Sequence, residues 1–107
     1  MSLSTHVLDT ARGAPAVGVE VHLETHTPDG WQRRDTHHTD GDGRIRAWHT
    51  DVEDGLHRLV FDTGGYLGED AFFPEVTVTF RIADSEHQHF HVPLLLSPFG
   101  YSTYRGT

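Results

Sequence analysis

Ten histidines are spread through 107 residues that contain no cysteine. Imidazole ordinarily titrates near neutral pH, so such a chain is supplied with bases, acids and metal ligands. Thiolate nucleophiles and thiolate metal sites are excluded. The densest run lies near the C-terminus, where His87, His89 and His91 alternate with Gln88, Phe90 and Val92. Alternate residues of a strand share a face. Phe90, Val92, Leu94 and Leu96 then form a core side, and His87, His89, His91, Pro93 and Leu95 the opposite one. A wall mixing histidine, proline and leucine suits the lining of a cleft or an interface. His87 and His89 read as a solvent-facing row, whereas His91, flanked by Pro93 and Leu95, is a candidate for chemistry. The His-x-His-x-His spacing also fits zinc, but no acidic residue follows at a diagnostic distance to complete a ligand set.

Three further residues could join such a site, although each taken singly reads as an ordinary surface residue. His6 lies in Ser4-Thr5-His6-Val7-Leu8 and faces away from the core if Val7 faces it. Arg44 follows an Asp-Gly-Asp-Gly turn, and Arg105 sits in a terminal Tyr104-Arg105-Gly106-Thr107. That tail follows a Ser97-Pro98 turn, and its density of aromatic, arginine and glycine residues suggests a terminus packed into something rather than frayed. His37 and His38 are neighbours and must point to opposite faces of a strand. With His22, His26, His49 and His57 they read as surface positions. Gly-rich phosphate loops, Gly-x-Ser-x-Gly elbows and His-Glu-x-x-His helices are absent from the sequence.

The elements that must position these residues are strands. Val17, Val19, Val21 and Leu23 alternate with Gly18, Glu20, His22 and Glu24, the period of a half-buried strand. A shorter strand over residues 4–9 precedes it. Thr27-Pro28-Asp29-Gly30 and Asp40-Gly41-Asp42-Gly43 carry turn chemistry. Extended segments are expected over 31–39, 44–48, 56–62, 76–84, 87–96 and 101–107, with Leu59 and Phe61 inward. Gly64-Gly65-Tyr66 breaks the pattern, and residues 66–72 have room for one or two helical turns before Pro74. Seven or eight short strands at regular spacing predict an all-β two-sheet sandwich spanning residues 1–107 as a single domain. Its exposed edge strands invite association between copies. The formal charge of −8 makes nucleic acid and anionic membranes poor partners. No apolar stretch approaches bilayer-spanning length, no secretory signal is visible, and a cytoplasmic location is expected.

Five segments together carry a resemblance: Leu3-Ser4-Thr5-His6-Val7-Leu8-Asp9, Asp42-Gly43-Arg44-Ile45, Phe72-Phe73-Pro74-Glu75, His89-Phe-His-Val-Pro-Leu-Leu-Leu-Ser-Pro98 and Tyr101-Ser-Thr-Tyr-Arg-Gly106. In this order the chain resembles the transthyretin-related proteins, and more narrowly the 5-hydroxyisourate hydrolases of urate degradation. The resemblance implies a transthyretin-like sandwich of seven to eight strands with one short helix. It also implies a homotetramer built as a dimer of dimers, with sites in a channel between dimers. The implied catalytic residues are His6, Arg44 and His91, with Tyr104, Arg105, Gly106 and Thr107 binding substrate beside them. The reaction would be hydrolysis of a ring amide of 5-hydroxyisourate without metal or organic cofactor. One histidine would act as base, the other would hold water or protonate the leaving nitrogen, and Arg44 would stabilise the developing negative charge. The family's tail usually ends in serine; Thr107 keeps the hydroxyl and adds a methyl. A carrier of small aromatic ligands and a histidine-rich metal-binding sandwich are the competing readings.

Overall fold

Period-two alternation is carried through into strands that bury one face each. The computed structural model describes residues 2–48 and 51–107, so the expectation for His49 lies outside the described residues. The chain runs β1 (Ser2–Asp9), β2 (Ala14–Pro15), β3 (Glu20–Thr27), β4 (Gly30–His38), β5 (Arg44–Ile45), β6 (Gly55–Phe61), the helix α1 (Thr63–Leu67) with a 3-10 turn behind it (Gly68–Asp70), then β7 (Val76–Ile82), β8 (His89–Ser97) and β9 (Gly100–Thr103). One sheet has the order β2-β1-β8-β9, with β5 also paired to β1; the other has the order β4-β3-β6-β7. No helix among the described residues is long and apolar enough to cross a membrane.

The core is the space between the two sheets. Leu3 and Val7 of β1 and Phe90, Val92, Leu94 and Leu96 of β8 meet Val21 and Leu23 of β3, Leu59 and Phe61 of β6, and Val76 and Ile82 of β7. The alternation of β1 and of the first half of β8 follows from this one-sided burial. β1 and β8 pair in parallel over eight positions, from Ser2 beside His89 to Asp9 beside Leu96. The two ends of the chain therefore lie side by side. A one-residue slip of either strand would turn its own apolar row out to water, so burial holds this register.

Several expectations are corrected. Val17 is 52% exposed, because it sits in a turn and β3 begins only at Glu20. The glycines end the strand as expected, but the helix starts at Thr63 rather than at residue 66 and includes them; the Asp62 carboxylate caps it by accepting the Gly65 N–H at 3.0 Å. β8 begins at His89, leaving His87 in the preceding turn with its Nδ1 2.6 Å from Asp84 Oδ1. His26 and His38 are exposed as expected, while His22 and His37 are half-buried beside Glu24 and Asp35.

His57 overturns its surface assignment: it is 1% exposed. It shares strand parity with Leu59 and Phe61 and so must point inward. Its Nε2–H donates to the Glu53 carbonyl at 2.6 Å, and its Nδ1 accepts from the Thr25 hydroxyl at 3.0 Å. Burial, helped by the Arg34 charge, lowers its pKa below the ordinary histidine value. The unfolded chain then binds the proton more readily. The stability contributed by neutral His57 is complete above about pH 6.5 and is lost as pH falls toward the lowered folded value. Urea midpoints measured at about pH 7.5 and about pH 5 should differ less in His57→Gln than in the parent protein.

Candidate functional site

Leu3, Thr5, Val7 and Asp9 of β1 point inward, which leaves Ser2, Ser4, His6 and Leu8 on the outer face of the sheet. The same alternation on β8 sends His89, His91, Pro93 and Leu95 outward. The parallel register sets Ser4 beside His91 and His6 beside Pro93. On the other flank of β1 the short β5 pairs Arg44 with His6. Three residues far apart in the chain thus share one patch: Arg44 on β5, His6 on β1 and His91 one diagonal step away on β8.

The Asp40–Gly43 turn makes this possible. The Asp40 carboxylate accepts the N–H groups of Asp42 at 2.9 Å and Arg44 at 3.0 Å, closing the turn just before β5. The backbone bonds from Arg44 and then Asp42 hold the Asp40 carboxyl below its usual pKa. Gly43 has φ +76°, and a Cβ there would lie 2.6 Å from the Val7 carbonyl oxygen, so only glycine lets the turn lie against β1. The turn then presents the Asp42 carbonyl to His6, whose Nε2–H donates to it at 2.9 Å. Neutral His6 is thereby held with Nδ1 unprotonated.

His91 is fixed from two sides. Its Nδ1 lies 2.7 Å from Ser4 Oγ, and its backbone carbonyl accepts the Gly106 N–H at 2.9 Å. Gly106 packs against the imidazole so closely that a Cβ would sit 2.4 Å from His91 Cδ2. The pKa of His6 is lowered by burial and then by the Arg44 charge. That of His91 is lowered by burial, then by Arg44, His89 and His6. Both rings are therefore neutral at neutral pH, as a base must be. Among the described residues no carboxylate forms an ion pair with Arg44, whereas Arg46 pairs with Asp40 and Asp42, and Arg58 with Glu24. The patch holds a cation that makes no ion pair of its own among the described residues, beside two neutral imidazoles, and a recess of ≈ 220 Å³ opens at Arg44, Ser4 and His89.

The tail divides. Gly106 joins His91, but Arg105 donates to Gln88 Oε1 at 2.8 Å and lies over the Phe90 ring, 4.8 Å from its centroid. Tyr104 and Arg105 border a cleft of ≈ 230 Å³ that His91 also lines, together with Val78, Phe80 and Phe90. Thr107 is exposed. Two polar residues of the patch, Ser4 and His89, carry no sequence signal beyond strand parity. His89 is exposed as expected, but it is hydrogen-bonded to Ser2 and Ser4. Among the described residues no three of histidine, cysteine, aspartate and glutamate gather into a group able to hold a metal ion.

Comparison with known proteins points the same way. The model of the HIUase/Transthyretin family matches residues 3–106. The 5-hydroxyisourate hydrolase of Salmonella dublin is 49% identical over 110 residues, covering 98% of this chain and 80% of that protein. The mouse 5-hydroxyisourate hydrolase is 45% identical over 112 residues, covering 98% and 94%. Among solved structures, Klebsiella pneumoniae 5-hydroxyisourate hydrolase superposes with a TM-score of 0.86 at 34% identity, over 100% of both chains. Sea bream transthyretin in complex with thyroxine superposes with a TM-score of 0.91 at 33% identity, over 99% of this chain and 95% of that one. A match of this extent, over a sandwich with this strand order, leaves one conclusion: the chain belongs to the HIUase/Transthyretin family.

Proposed function

We propose that this protein hydrolyses 5-hydroxyisourate to 2-oxo-4-hydroxy-4-carboxy-5-ureidoimidazoline in urate degradation. The observation that carries the reading is the patch itself, two neutral histidines on neighbouring strands with an arginine beside His6 on one sheet face. Ring-amide hydrolysis needs a base to take a proton from water, a donor for the leaving nitrogen and a cation for the oxygen that becomes negative. His6, held with Nδ1 unprotonated, is the base. His91 serves the leaving nitrogen, and Arg44 binds the electron-rich substrate and stabilises the oxyanion. The names of the relatives support the substrate. The test is to follow the ultraviolet absorbance of freshly generated 5-hydroxyisourate: its decay is faster with the protein than without it, and an unchanged rate would remove the assignment.

The likeness to thyroxine-bound sea bream transthyretin raises a carrier reading. Backbone similarity does not choose between activities; site chemistry does. A carrier has no use for two neutral imidazoles held beside an arginine, so the patch favours hydrolysis.

We infer further that the protein works as a homotetramer, a dimer of dimers whose channel is lined by the histidine face. Phe72, Phe73, Phe99 and Tyr101 are all exposed, and Phe73 stacks edge-on with both Phe72 and Tyr101. Clustered aromatics of this kind mark association surfaces. Light scattering of the purified protein should return four times the chain mass. Gly106→Ala tests the tail: with no room between residue 106 and His91, kcat/KM should fall by about ten- to a hundredfold. Melting temperature should stay close to that of the parent.

A further inference from the structure

One continuous line of hydrogen bonds leaves the patch toward solvent. Ser2 Oγ contacts His89 Nδ1, His89 Nε2 lies 3.0 Å from Ser4 Oγ, and Ser4 Oγ lies 2.7 Å from His91 Nδ1. Two opposite sets of proton positions satisfy every link; in the one the relay starts from, the Ser2 hydroxyl donates to His89 Nδ1, His89 Nε2–H to Ser4, and the Ser4 hydroxyl to His91 Nδ1. The two rings are nearly parallel, 16° apart, with centroids 6.4 Å from one another. The outer end is wet, since Ser2 and His89 are exposed, and the inner end is half-buried. His89 also borders the recess that Arg44 opens onto.

We propose that Ser4 and His89 form a proton relay that supplies His91 from solvent. The inference rests on the hydrolase reading above. It answers a difficulty in that reading, because a histidine kept neutral by burial and by Arg44, His89 and His6 is a poor acid if it must first become an imidazolium. The relay removes that requirement. As the proton on His91 Nε2 passes to the departing ring nitrogen, His91 Nδ1 takes one from the Ser4 hydroxyl. Ser4 takes one from His89 Nε2, and His89 Nδ1 takes one from solvent through Ser2. One proton enters for each that leaves, and His91 changes tautomer without carrying charge. The wire run in reverse, with Nε2 reprotonated by water, resets the ring. Ser4 and His89 touch no reacting atom; they act through His91.

Ser4→Ala, Ser4→Thr and His89→Gln test the relay. In weakly buffered solution Ser4→Ala and His89→Gln should lower kcat by about tenfold. Ser4→Thr, which keeps the hydroxyl, should stay near the parent. Added imidazole should restore His89→Gln in proportion to its concentration, which a merely structural defect would not show. Parent-like kcat in both loss variants, or a loss that imidazole does not relieve, would overturn the relay. If the parent protein itself failed to turn over 5-hydroxyisourate, the hydrolase reading would fall, and nitrogen-15 spectra would judge the wire alone. His91 should then rest with its proton on Nε2 and lose that preference in Ser4→Ala; an unchanged tautomer would refute it.

Discussion

His6→Ala and Arg44→Ala should each reduce kcat/KM for 5-hydroxyisourate by about a hundredfold or more. Loss of a positioned base costs roughly 10²–10⁴ in rate, and loss of an oxyanion-stabilising group about 10²–10³. Removal of the Arg44 charge should also move the pH dependence. Burial and Arg44 both hold His6 and His91 below the ordinary histidine pKa. The base form therefore persists below about pH 6.5 in the parent, and activity falls only as pH drops through the lowered values. Removing the Arg44 charge lets both pKa values rise, so the residual activity of Arg44→Gln should begin to fall at a higher pH than that of the parent. An acid limb that stays in place or moves down would show that Arg44 does not act electrostatically on the two rings.

Phe61→Ala should destabilise the fold by about 3–5 kcal/mol, the usual cost of removing a fully buried phenylalanine. Phe61 is 0% exposed, sits on an interior strand of its sheet, and pairs with Val21 on one side and Val76 on the other. Domains of this size are stable by only about 5–15 kcal/mol, so the variant stands near its unfolding threshold at ordinary temperature. Urea unfolding followed by far-ultraviolet circular dichroism measures the loss. A shift under about 1 kcal/mol would mean that the sheets close around the gap.

The sandwich was legible because one-sided burial writes a period of two into the sequence. Phe90, Val92, Leu94 and Leu96 of β8, and Leu59 and Phe61 of β6, are inward as the alternation predicts. The same parity puts His57 in the core, although its residue type alone suggests the surface. Val17 failed the other way: an apolar residue of the right parity lay before the strand started. The meeting of His6 with Arg44 and His91 was not readable from spacing. It depends on a parallel pairing between the two ends of the chain and on a two-residue strand held by the Asp40 turn. Only the family resemblance named those three residues together. The Ser4 and His89 hydrogen bonds lay further out of reach, since they need both the register and the side-chain rotamers.

The central claim is that His6 and His91 serve one reaction in one site, and the His6→Ala/His91→Ala double variant tests it most directly. Residues that act as a unit give strongly non-additive losses. The account predicts that the double variant loses little more kcat/KM for 5-hydroxyisourate than the worse single variant. Losses that multiply, as they would for two histidines working independently, would contradict it.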